Sequence, residues 1–86
     1  MHQVILMIRQ IQKIYKEGAA NSREREDIFT RSLQMWLRPF SEEINRQQGT
    51  LLLIFYADGA NRFRLEGVSE DLKDKLDAQH PGFQER

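Results

Sequence analysis

Residues 50–67 read TLLLIFYADGANRFRLEG, two strand-like halves about a turn, and they constrain the fold of this chain more than any other stretch. Residues 51–57 are apolar without a break, whereas residues 62–67 alternate charged and apolar. Paired strands share both faces of a sheet, so the first half needs cover on two sides and the second on one. Asp58-Gly59-Ala60-Asn61 supplies the turn, and Gly59 at its first central position fits a two-residue type II′ loop. That loop places Leu52, Ile54, Tyr56, Phe63 and Leu65 on one face, the expected core face. It leaves Leu51, Leu53 and Phe55 on the other, beside Arg62, Arg64 and Glu66; a bulge at the turn would exchange the pairing of the faces. Burying three such side chains is worth roughly 5–8 kcal/mol before offsets. The second face is therefore expected to be covered by another element of the chain, by a second copy, or by a different protein.

The remainder of the chain reads as helical. Val4, Ile8, Ile11 and Tyr15 recur at helical spacing with Arg9, Lys13 and Lys16 opposite, which predicts an amphipathic helix over residues 3–17. A buried strand over residues 3–8 is the competing reading. Asn21 or Ser22 caps a second helix, running to residue 37 with Phe29, Leu33, Trp36 and Leu37 on its buried side. Pro39 stops or kinks it at Arg38. Ser41 with Glu42 and Glu43 opens a short third helix that ends at Gly49, and Ser69 with Glu70 and Asp71 opens a last one, closed by Pro81 and Gly82. The expected architecture is a single α+β domain. Three N-terminal helices pack on a β-hairpin (about 50–57 and 62–68), a short C-terminal helix follows, and residues 80–86 form a frayed tail.

The chain has 86 residues, 13 basic and 13 acidic side chains, and no cysteine. A disulfide framework and a thiolate metal site are thereby excluded, and the composition suits a cytoplasmic protein. Residues 1–13 contain no apolar run long enough to span a bilayer and no signal-peptide pattern, so no membrane partner is expected. Neutral net charge gives no broad positive field for nucleic acid. His2 and His80 stand far from any other ligand type, Ser22, Ser41 and Ser69 are helix caps, and the adjacent acids at 42–43 and 70–71 diverge on a helix. The sequence therefore predicts no catalytic residue, cofactor or metal. It reads as a small regulatory or adaptor protein acting through protein–protein contact, as a homodimer or with another protein. The expected interaction surface is Leu51, Leu53, Phe55, Arg62 and Arg64.

Two alternatives follow from other residues. Helices followed by a hairpin resemble a winged helix-turn-helix layout over residues 22–68. That resemblance implies base contacts from Asn45, Arg46, Gln47 and Gln48 and phosphate contacts from Arg62 and Arg64. Against it, Glu42 and Glu43 would face phosphates, and Ile44 alone anchors the reading helix. A small toxin-like nuclease acting with Arg, Lys and Tyr is the third reading.

Overall fold

The computed structural model describes residues 7–19 and 22–86. Its elements are β1 (Gln10–Tyr15), α1 (Arg23–Trp36), α2 (Arg38–Arg46), β2 (Thr50–Phe55), β3 (Asn61–Glu66) and α3 (Glu70–Gln79). The fold is α+β, but its order is strand, two helices, two strands, helix. The expected three N-terminal helices are replaced by a strand and two helices. Residues 3–6 of the expected first helix, Val4 among them, lie outside the described residues, as does the Asn21 cap.

The sheet explains the mismatched hairpin. Its strand order is β1-β2-β3, with β1 parallel and β3 antiparallel to the central β2. The central strand is β2, so it needs cover on both faces while β3 does not. Parallel pairing of β1 with β2 requires a crossover, which α1 and α2 supply.

The register differs by three residues from that of the expected two-residue loop, which would set Phe55 opposite Arg64. Phe55 pairs with Asn61, Leu53 with Phe63 and Leu51 with Leu65. The Tyr56 N–H donates to Ala60 O at 3.0 Å, leaving a three-residue loop at 57–59. Gly59 takes φ +86° in it, the left-handed position such a loop demands and one a side chain disfavours. Because the shift is odd, it exchanges the faces, as a bulge at the turn would. The core face is consequently Leu51, Leu53, Phe55, Phe63 and Leu65. All three helices cover it, through Leu33 and Leu37, Phe40 and Ile44, and Leu72 and Leu76. Leu52 and Ile54 occupy the opposite face, flanked across the strands by Gln12 and Arg64, and by Ile14 and Arg62.

The helix boundaries follow local chemistry. Ser22 Oγ accepts the Arg25 N–H and Ser69 Oγ accepts the Leu72 N–H, each capping the following helix. Pro39 lies in the first turn of α2, where its missing N–H costs nothing, so α2 begins at Arg38 rather than Ser41. Ser41 is buried and donates to Leu37 O at 3.2 Å.

Two extended segments border the sheet. Before β1, Gln34 accepts the Ile8 N–H (2.9 Å) and donates to Ile8 O (3.1 Å). Asn45 accepts the Arg9 N–H (3.0 Å) and donates to Met7 O (2.8 Å). Two side-chain amides thus stand in for neighbouring strands. At the other end, part of the segment expected to fray, residues 84 and 85, lies against β3. The Glu85 N–H donates to Phe63 O at 2.8 Å, Gln84 forms a parallel bridge with Phe63, and Gln84 is buried.

Candidate functional site

The two borders of the sheet are finished differently. Along β3, the strap of residues 82–86 occupies the edge. Gln84 Nε2 donates to Lys73 O (2.8 Å) and Asp77 Oδ1 (2.7 Å). Tyr56 OH donates to Glu85, and Arg86 reaches Asp74, Asp77 and Glu70. These bonds hold the Asp77 carboxyl below its usual range, through Gln84 first and then Arg86, and lower Glu70 through Arg86.

Along β1 no described strand pairs with the outer edge. The Lys16 N–H donates inward to Phe55 O at 2.8 Å. Strand alternation then turns the N–H and C=O of Ile11, Lys13 and Tyr15 outward, and no described strand lies beyond them. Ile11 and Ile14 are half-buried, one on each face. Lys13 does not guard this edge. Its ammonium folds onto Glu26 Oε1 of α1 at 3.1 Å, and Tyr15 OH donates to the same oxygen at 2.5 Å. The Tyr15 ring stacks on Phe55 with centroids 5.2 Å apart. Glu26 is pulled below its usual pKa by the Tyr15 hydroxyl and by Lys13, against the opposing effect of its burial; Tyr15 is raised correspondingly.

The residues expected to form the interaction surface are divided by this geometry. Leu51, Leu53 and Phe55 are fully buried beneath the helices of their own chain, so their cover is internal, and β2, paired on both sides, offers no edge to a second copy. Arg62 donates to Gly82 O at 3.4 Å and Arg64 pairs with Glu66 at 2.7 Å. The alternative nucleic-acid contacts are also engaged. Asn45 clips residues 7 and 9, Arg46 pairs with Glu42 and Glu43, and Gln47 donates to Glu43 and accepts the Ser69 N–H at 2.6 Å. Gln48 takes φ +57° just beyond α2. With β1 in place of the first helix and the hairpin inside the sheet, the winged-helix layout is absent.

No group of three His, Cys, Asp or Glu side chains gathers to hold a metal among the described residues. His80 lies against the Trp36 ring, centroids 4.0 Å apart. No helix among the described residues is long and apolar enough to cross a membrane. The outer edge of β1 and the outward face of α1 were not singled out from sequence. For α1 a signal exists: Ile28, Ser32 and Met35 recur at helical spacing on the side away from Leu33 and Leu37. No family model, curated protein or solved structure matches the chain.

Proposed function

We propose that this is a non-catalytic regulatory or adaptor protein, acting through protein–protein contact and working as a homodimer. The outer edge of β1, to which no described strand pairs, carries this reading. Folded proteins guard such edges with lysines, prolines, bulges or cover, because a free row of N–H and C=O groups templates another strand. In β1 the register to β2 is unbroken and there is no proline, and the one charged side chain of the strand is tied down to Glu26. An antiparallel pairing across a two-fold axis at Ile14 suits these residues. Each Lys13 then lies opposite Tyr15 of the second copy, so like charges do not meet. Ile14 meets its own counterpart on the face of the sheet that carries Leu52 and Ile54. Each main-chain hydrogen bond so formed contributes about 1 kcal/mol net, and the interface is small, so a dissociation constant of micromolar order is expected. The cysteine-free composition fits a reducing compartment, and we assign the protein to the cytoplasm.

Light scattering across a concentration series tests the pairing. The wild-type mass should rise from monomer to dimer. Ile14→Lys and Ile14→Glu, at a half-buried position, should each remain folded and monomeric, and an equimolar mixture of the two should dimerise again. A wild type that stays monomeric at sub-millimolar concentration, or single variants that keep the dimer mass, would refute the proposal.

A further inference from the structure

The outward face of α1 is a second, separate surface, and we infer that it docks an amphipathic helix of another protein whose apolar stripe is flanked by acidic residues. Ile28, Ser32 and Met35 form one line on the helix, opposite the buried Glu26, Leu33 and Leu37. Ile28 is 53% exposed and Met35 66%. The strap extends the line: Phe83 is 60% exposed and rests against Trp36, centroids 5.3 Å apart. Scattered exposed apolar residues are ordinary, but a continuous line ending in two aromatic rings is a patch of the kind that marks an interface.

Shape and charge define the occupant. The line is bordered by shallow grooves, one between α1 and the hairpin turn at Gly59 and Asn61, the other beside Met35 and Trp36. Ser32, a small residue, sits between Ile28 and Met35 on this line, so the side chains of an incoming helix can pack into the bordering grooves. Arg25 and Arg31 flank the strip, and neither they nor the neighbouring Arg23 and Arg38 form an ion pair among the described residues. Glu24 and Asp27 are exposed on the same helix and also lack an ion pair among the described residues, so the four arginines outnumber the acids around the line by two. Acids on the incoming helix complement this excess, whereas a second copy of this chain would bring the same arginines onto one another. This inference stands on α1 and Phe83 and does not depend on the β1 edge.

The single tryptophan, Trp36, lies at the end of the strip and reports on it. The full chain is titrated with two synthetic helical peptides that share one leucine stripe, one flanked by glutamates and the other by lysines, while Trp36 emission is recorded. The glutamate peptide should bind saturably, more weakly as salt is raised, and about tenfold more tightly than the lysine peptide, the size expected of two exposed ion pairs. Met35→Glu, at an exposed position that leaves the circular dichroism unchanged, should abolish binding, and Arg31→Glu should narrow or reverse the preference. Equal binding of both peptides, or of neither, overturns the inference. Preferential binding of phosphatidylserine vesicles would overturn it in favour of a membrane. Loss of dimer mass in Met35→Glu would overturn it in favour of a second copy.

Discussion

The two edges of the sheet pose one physical problem and meet it differently. Along β3, the strap meets the outer edge at Phe63, with Gln84 buried and Arg86 held by three acids of α3. Along β1, two side-chain amides satisfy residues 7–9, and then the outer groups of Ile11, Lys13 and Tyr15 face outward without a described strand. On the reading proposed above, the strapped edge is closed by its own chain and the β1 edge is where a second copy attaches.

The largest effect should come from breaking what the two edges share. Phe55 sits on the central strand, fully buried, stacked on Tyr15 and edge-on to Phe29 at 5.9 Å. Phe55→Ala should cost about 3–5 kcal/mol, read from the urea midpoint, and both edges should lose amide protection together. A variant that loses protection at β1 alone would show that the strands are not one cooperative unit.

Trp36 sharpens the comparison on the strap side. It is half-buried and packs edge-on to Phe63 (5.8 Å) as well as against His80 and Phe83. As a core residue it would match Phe55; under the strap, Trp36→Ala should cost about 2 kcal/mol. Hydrogen exchange should quicken at the outer amides of β3 and remain unchanged in β1.

The contrast was only partly legible in the sequence. Capping serines, Pro39 and the apolar run made α1, α3 and the hairpin readable to within a few residues, because these signals act locally. β1 was hidden because its inward positions are Ile11, Lys13 and Tyr15. Lysine can occupy the core-facing side only because Glu26, thirteen residues away, neutralises it, and that removes the alternation by which a strand is recognised. What remained, isoleucines three apart, imitates a helix. The register failed for a related reason, since Gly59 suits either a two-residue or a three-residue loop and the choice exchanges which face of β2 meets β3. The exposed line on α1 was present as a pattern, yet its exposure depends on where Leu33 and Leu37 find their core.

A smaller change tests the strap alone. Gln84→Ala removes the donor to Lys73 O and Asp77 and should cost about 1–2 kcal/mol. Denaturation should shift by that amount while the dimer mass stays at the wild-type value, since the strap lies at the far edge from β1. A dimer lost with Gln84 would mean that the copies meet through β3.

The smallest and most specific effect concerns the group that leaves β1 unguarded. Glu26 binds Tyr15 and Lys13 and its pKa is lowered by them. A carboxylate with a depressed folded pKa contributes stability above its unfolded value, about 4.3, and loses it as pH falls through the folded one. Acidification below about pH 4 should therefore release Lys13, return a solvated charge to the strand edge, and weaken self-association before the fold is lost. Acid also protonates Asp77 and Glu70, which loosens the strap, so pH alone cannot separate the edges. Glu26→Gln does so at neutral pH: it keeps a partner for the Tyr15 hydroxyl but frees Lys13. Its dimer should dissociate more readily than the wild type, with β3 protection unaltered and with little further change in mass on acidification. If Glu26→Gln dimerises as tightly as the wild type, the lysine does not govern the edge, and the difference between the two borders must have another origin.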